Sequence, residues 1–352
     1  MFARQWFGPK SQVALEQSAL DFESLLRGKK FFNAKNIANN QLISATETNS
    51  KEFWERQYSR ACRLEQRCKN TYNIGVAFRG FWAGFNQKDN EILNLLLSSA
   101  SLIGYQIHLD STDPDLVIYS CFGNPNLNEF PKSTRLLYLG ENVRPDFGFT
   151  DYSLTFDMSR YCGRNIYLPL WLLRSTKYAA ISRDYKAYLP AELEVARSRN
   201  SGINAIAYIG NNSTPQRVEA ILALRQLGMK VECYGSQTKP VTDKIQTLKN
   251  YKYTLCFENS YTPGYVTEKL IDSFLAGSIP IYWGGAPSEI FNLEKYYVCD
   301  PYKTICYNME NFTKWGHDRE EHYLPPLLKI GAYKLAESGP ISALAKIFWD
   351  LF

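Results

Sequence analysis

Residues 251–284, YKYTLCFENSYTPGYVTEKLIDSFLAGSIPIYWG, decide the fold. The apolar run TLCFEN is rich in strand formers and leads into a glycine-containing loop, Ser260 to Tyr265. Thr267, Glu268 and Lys269 then open a segment whose apolar residues recur at helical spacing and stop at Gly277, the expected C-cap glycine. SIPIYWG follows as a second strand. A strand, a helix and a strand in so short a stretch make a βαβ unit of a parallel sheet.

The same alternation extends outward in both directions. Immediately upstream lie the strand NAIAYIG, the helix RVEAILALRQLG ending at Gly228, and the strand KVECYG. Further upstream come NIGVAF, the helical NEILNLLLSSASLIG, then YQIHLD, DLVIYSCFG, TRLLYLGEN, YSLTFD and NIYLPLWLL, which read as strands. Two successive doubly wound runs predict an α/β fold of two facing Rossmann-like domains with ligands in the cleft between them. We place the domains at residues 71–175 and 176–330, with a linker or interdomain helix in the polar, helical stretch 174–203 and no strong strand there. Residues 1–70, including KEFWERQYSRACRLEQRCK, read as a helical N-terminal extension without a catalytic constellation. The amphipathic SALAKIFWDLF within residues 331–352 reads as a C-terminal helix that packs back on the first domain, with a membrane surface as its alternative partner.

Composition excludes several classes. Hydrophobic residues at 45% and charged residues at 21% are those of a soluble globular protein, which argues against wholesale disorder and against a membrane bundle. A net charge of +5, from 40 basic and 35 acidic residues, lacks the dense basic footprint of a nucleic-acid binder. The eight cysteines are scattered without a CxxC pair, which predicts free buried thiols and a reducing compartment. The opening residues carry no continuous apolar stretch and no long apolar window occurs elsewhere, so the expectation is a cytoplasmic protein, at most peripheral to a membrane.

In open α/β sheets ligands gather where strands hand over to helices, because backbone N–H groups and the helix dipole point there. Two such turns lie in the second domain. In IGNNSTPQR, Asn211 to Thr214 are candidate caps and donors, and Arg217 stands in the first helical turn, placed to grip a diphosphate. The pattern alone favours a surface arginine behind an ordinary cap over a diphosphate ligand. At the second turn Lys269 sits where a cation opposes the helix dipole by about 0.3–1 kcal/mol, a mismatch that an anionic ligand reverses. Lys269 therefore reads as a phosphate ligand. Glu258 and Glu268 are acids placed to meet ribose or sugar hydroxyls, although a first-turn glutamate is also an ordinary dipole partner.

The stretch CFENSxxxGYVTEKLIDSFLAGSIPIYWG resembles, in wording and spacing, the long signature of the α1,3/α1,4-fucosyltransferase family. That resemblance implies the GT-B type of two-domain fold, with Asn259, Tyr265, Glu268 and Lys269 on the GDP moiety and fucose of GDP-L-fucose, and Arg217 as the second cation on the diphosphate. YLGENVRPDFGFTDYSLTFD, residues 138–157, resembles the family's GEN/ES-P-x-F segment, which implies that Glu141 is the general base. From the residues alone Glu141 is a carboxylate at a strand end, and a structural role suits it better than a catalytic one.

The reaction so implied is inverting fucosyl transfer to the 3- or 4-hydroxyl of GlcNAc in a β-galactosyl-GlcNAc acceptor, with no cofactor beyond the co-substrate GDP-L-fucose and no metal. Asp113-Pro-Asp115 has the Asp-x-Asp form of metal-dependent transferases, but it precedes the strand LVIYS and reads as a strand-entry turn. Three dispersed histidines and the absence of a GxSxG elbow leave metal and nucleophilic chemistry without support. The competing readings are a transferase of the same architecture for another nucleotide sugar, and an inactive carbohydrate- or nucleotide-binding protein.

Overall fold

The structure, a computed structural model, describes residues 9–67, 73–123, 125–175, 197–198, 202–236, 238–317, 323–324, 326–329, 332 and 339–352. The chain divides into two compact units.

The first unit runs through Thr155 and takes in Ser159–Tyr167 and Pro340–Phe352. Three helices, α1 (Pro9–Arg27), α2 (Phe31–Ser44) and α3 (Thr48–Arg67), precede a six-stranded sheet. Its strands are β1 (Asn73–Arg79), β2 (Gln106–Leu109), β3 (Leu116–Tyr119), β4 (Thr134–Tyr138), β5 (Tyr152–Thr155) and β6 (Asn165–Tyr167), in the order β2-β1-β3-β4-β5-β6 and parallel throughout. Strands β3, β4 and β5 are buried along their whole length, as unbroken apolar runs such as LVIY require. Helix α4 (Glu91–Ser101) starts where the Asn90 side chain accepts the Leu93 N–H at 2.8 Å, and its Ile92, Leu95 and Leu96 are buried. The helix Pro340–Leu351 packs on α4, burying Leu344, Phe348 and Leu351.

The N-terminal helices share this unit's interior. Arg56, Arg60 and Arg63 fall on one face of α3, four and three residues apart, and all three are buried. Arg56 donates twice to Asp151, at 2.9 and 2.8 Å. Arg60 pairs with Glu23 of α1 and with Asp151 at 3.1 Å, and Tyr152 donates to Glu23 at 3.0 Å. Arg63 pairs with Asp113 and, at 3.1 Å, with Asp115, whose other oxygen accepts the Gly75 N–H. Asp151 precedes β5 and Asp115 precedes β3, so α3 is fastened along the amino ends of the strands and leaves the carboxyl ends to function. Burial disfavours the Asp151 carboxylate, yet Arg56 and Arg60 outweigh it and hold the group far below the usual carboxylate range.

The second unit comprises Phe156–Met158 and Leu168–Gly339. It opens with α5 (Leu170–Ser175), and a short antiparallel pair joins β7 (Arg197–Ser198) to β13 (Tyr323–Leu324). The main sheet contains β8 (Ile203–Ile209), β9 (Val231–Tyr234), β10 (Tyr251–Phe257), β11 (Ile279–Trp283) and β12 (Tyr297–Val298), parallel and ordered β12-β11-β10-β8-β9. Helices α6 (Pro215–Gln226), α7 (Lys244–Leu248), α8 (Glu268–Leu275) and α9 (Ile305–His317) complete it.

Some expectations are corrected. NIYLPLWLL is a strand only at Asn165–Tyr167, because the Pro169 carbonyl accepts the Leu172 and Leu173 N–H groups and starts α5. Most of the expected linker lies outside the described residues, and Arg197–Ser198, inside it, is a strand. The seven described cysteines are free, but only Cys256 and Cys299 are buried, while Cys121, Cys162 and Cys306 are exposed; Cys68 lies outside the described residues.

Candidate active site

Strand order positions the site. In the second sheet β9 lies on one side of β8 and β10 on the other, so the chain reverses direction across the sheet between β8 and β10, where the carboxyl ends form a ligand crevice. Those ends are Ile209 and Phe257, followed by Asn211 and Asn212 on one side and by Glu258 and Asn259 on the other.

Arg217 fastens these two ends together. It is 2% exposed, so the surface reading is wrong. Its Nε and one Nη donate to the Phe257 carbonyl at 3.1 and 2.6 Å, and the other Nη donates to the Asn212 carbonyl at 2.8 Å. The positive charge thus stands at the crevice, while several of its N–H groups serve the backbone.

Glu258, fully buried, is the organiser that the sequence left without a definite role. Its carboxylate accepts the Thr267 N–H at 2.8 Å, the Thr267 hydroxyl at 2.7 Å and the Lys269 ammonium at 3.3 Å. Lys269 also donates to the Thr267 hydroxyl at 2.8 Å. Burial works against the Lys269 charge, but Glu258 and Glu268 outweigh it, against some opposition from Arg217, so Lys269 holds its proton more firmly than a free lysine. Two cations within electrostatic reach at two helix starts suit an anion.

Neither helix start is closed by its cap side chain. Thr214 and Thr267 are the N-cap residues of α6 and α8, and neither makes a side-chain cap bond. Thr214 was expected to cap; its hydroxyl is instead buried without a partner. A helix start whose cap side chain makes no cap bond leaves room for a phosphate.

The remaining predicted residues spread around this centre. Glu268, first in α8, accepts Lys244 of α7 at 2.8 Å. Burial raises its pKa, but Lys269 and Lys244 bring it down to about 2, so it is a carboxylate at any physiological pH. Tyr265 is 1% exposed, its ring edge-on to Phe156 at 5.2 Å, and it lies in the core rather than open to the crevice. Asn259 follows Glu258 directly. The loop from Ser260 to Tyr265 lies backbone to backbone against Gly285, which accepts the Gly264 N–H at 2.8 Å; a β-carbon on Gly285 would collide with the Thr262 carbonyl. Lys244 was missed, since the short α7, capped by Asp243, carries too little apolar periodicity to stand out.

Glu141 belongs to the first unit, three residues beyond Tyr138, the last residue of β4, and is half-buried. It acts on Cys121, an exposed residue beyond the end of β3: partial loss of solvent around the thiol chiefly, and Glu141 in addition, push that thiol up. Asp113 and Asp115 are committed to Arg63, and Asp115 also to Arg67 at 2.7 Å, which makes them the expected strand-entry turn.

Residues 76–174 match the α-(1,3)-fucosyltransferase FucT N-terminal domain, and residues 199–309 match the C-terminal part of glycosyltransferase family 10, the fucosyltransferases. The α-(1,3)-fucosyltransferase FucT of Helicobacter pylori is 27% identical over 292 residues, which are 72% of this chain and 59% of that protein. The chain thus spans less than two thirds of that relative. A human 4-galactosyl-N-acetylglucosaminide 3-α-L-fucosyltransferase is 38% identical over 88 residues, 24% of each chain. A solved α1,3-fucosyltransferase, 22% identical, superposes with a TM-score of 0.58 over 78% of this chain and 91% of its own; the same enzyme class solved with GDP-fucose gives 0.54 at the same identity and coverage. Two parallel sheets behind a helical N-terminal region are the GT-B architecture of the glycosyltransferases. The chain belongs to the fucosyltransferase family.

Among the described residues no helix is long and apolar enough to cross a membrane.

Proposed function

We propose that the protein transfers L-fucose from GDP-β-L-fucose to the 3- or 4-hydroxyl of GlcNAc in a β-galactosyl-GlcNAc glycan, with inversion, giving an α-fucoside. The observation that carries this reading is the pairing of Lys269 with the buried Glu258 beside Arg217, at the strand ends where an α/β sheet receives its ligand.

Transfer of a sugar to an alcohol needs a base for the hydroxyl proton and a stabiliser for the departing diphosphate. Glu141 takes the proton as the acceptor oxygen attacks the anomeric carbon from the face opposite the nucleotide. The bond to GDP breaks with its electron pair leaving on the phosphate oxygen. Lys269, Arg217 and the start of α8 stabilise that charge, and the Lys269 ammonium is already aimed and charged before the ligand arrives. Glu268 and Asn259 are the candidate partners of ribose and fucose hydroxyls, with Tyr265 shaping the site from beneath. GDP-L-fucose is a co-substrate, and the chemistry assigned to these residues calls on no further cofactor.

Incubation with GDP-L-fucose and either Galβ1,4GlcNAc or Galβ1,3GlcNAc, with and without EDTA, tests the proposal by mass spectrometry of the products. Fucosylated product that survives EDTA supports it, and the preferred acceptor indicates the linkage. Tight GDP binding without product from either glycan would replace fucose or the acceptor with another sugar.

A further inference from the structure

The first sheet has its own reversal point between β1 and β3, and an aromatic shelf stands there. Phe81 and Trp82 follow the end of β1, and Phe122 follows the end of β3. Phe81 stacks on Phe85 at 4.1 Å and lies nearly parallel to Tyr138 at 6.2 Å, and Tyr138 ends β4. Trp82 meets Phe85 at 5.1 Å and Phe122 at 5.7 Å, edge-on in both cases. Trp82 nevertheless stays 43% exposed.

Scattered surface apolar side chains are ordinary, but this one is held in place. Gly80 has a φ of +63°, and a β-carbon there would lie 2.9 Å from both the Ser120 carbonyl and Pro125. Only glycine lets the β1 exit turn so tightly against the β3 exit. The Phe122 N–H donates to the Gly80 carbonyl at 3.0 Å and the Phe85 N–H to the Trp82 carbonyl at 3.1 Å. Trp82 thus stands, on a fastened backbone and against two neighbouring rings, as a half-exposed aromatic at strand ends.

The shelf shares its sheet edge with Glu141. Phe122 adjoins Cys121, on which the Glu141 carboxylate acts, and Tyr138 is three residues before Glu141. We infer that Trp82, braced by Phe81, Phe85 and Phe122, is the stacking surface for the galactose ring of the acceptor glycan. Galactose carries its axial hydroxyl on one face and leaves C3, C4 and C5 presenting hydrogens on the other, a patch that matches an indole face. This assignment rests on the acceptor proposed above, and gives a galactosyl-GlcNAc unit an advantage over GlcNAc alone: one ring is anchored while the other presents its hydroxyl to Glu141.

The test compares wild type, Trp82→Ala and Trp82→Tyr on Galβ1,4GlcNAc and on GlcNAc alone, with GDP-L-fucose as donor. Trp82→Ala raises the KM for the disaccharide roughly tenfold, leaves its kcat and the KM for GDP-L-fucose near wild type, and leaves GlcNAc kinetics unchanged; Trp82→Tyr restores most of the disaccharide affinity. Equal losses on disaccharide and monosaccharide, or no loss on either, overturn the inference. Saturation-transfer NMR of Galβ1,4GlcNAc with the full chain reads the shelf independently of turnover. Galactose protons that saturate with wild type and not with Trp82→Ala support the shelf even where no fucose is transferred, which would then count against the donor reading alone; saturation unchanged by the substitution overturns the shelf.

Discussion

The ammonium of Lys269 lies 3.3 Å from the carboxylate of Glu258, a group with 0% exposure. A buried charge is tolerated only when paired and hydrogen-bonded, and Glu258 meets that condition through Lys269 and both donors of Thr267. The same pairing fixes where the ammonium points. Stability and ligand recognition therefore meet in one lysine, and substitutions separate them.

Lys269→Ala removes the cation and leaves Glu258 buried beside Thr267 alone. Turnover of GDP-L-fucose is expected to fall by a factor of roughly 10² to 10³, the loss typical of one preorganised electrostatic donor, and denaturant unfolding shifts to lower stability. Adding Glu258→Gln relieves the uncompensated charge, so the double variant recovers part of the stability and none of the turnover. Recovery of both together would mean that Lys269 serves only the fold.

Glu268 supplies a pH dependence. Its pKa falls from an ordinary 4.5 to about 2 in the folded chain, the burial penalty being outweighed by Lys269 and Lys244. A depressed carboxylate contributes stability that is fully present above its unfolded pKa and is lost as pH falls through the folded one. The contribution thus fades between about pH 4.5 and pH 2. Chemical unfolding across that window should show a shallower acid decline for Glu268→Gln than for wild type, together with lower stability at neutral pH; parallel curves would remove Glu268 from the network.

Arg60 of α3 offers the sharpest test of how the N-terminal helices are held. Fully buried, it compensates Glu23 and Asp151 together. Arg60→Met leaves Asp151 with Arg56 and strips Glu23 of its cation, a change expected to cost roughly 3 to 5 kcal/mol. Arg60→Met together with Glu23→Leu should recover much of that loss, because both charges leave the interior. Calorimetry or urea unfolding of the two variants measures it.

The readable parts of the sequence were those whose information is local. Parallel βαβ units showed in apolar runs and in glycines at helix ends, and Lys269 stood out because its position opposes its own helix dipole. What escaped depends on residues distant in the chain. The arginines of α3 look like the polar face of a solvated helix, and nothing near them reveals that Asp113, Asp115 and Asp151 wait at the strand entries. Arg217 was legible as a cation at a helix start but not as a clip on Phe257, a carbonyl forty residues away. Glu258 showed as an acid and not as the group that aims Lys269, since the pairing needs the loop from Ser260 to Tyr265 to fold back first.

Glu141 carries the proposed proton transfer, and its substitution separates chemistry from binding. Glutamine keeps the size and the hydrogen-bonding edge of the side chain but cannot accept the acceptor's proton. General-base catalysis commonly contributes a factor of roughly 10² to 10⁴, so Glu141→Gln should lower kcat by about that much. The affinity for GDP, which the second unit's cations supply, should stay within about twofold of wild type, since interactions used only in the transition state leave ground-state binding intact. Isothermal titration with GDP alongside product formation from GDP-L-fucose reads both quantities. A variant with near-normal kcat would dismiss Glu141 as the base, whereas loss of GDP binding along with turnover would make its role structural.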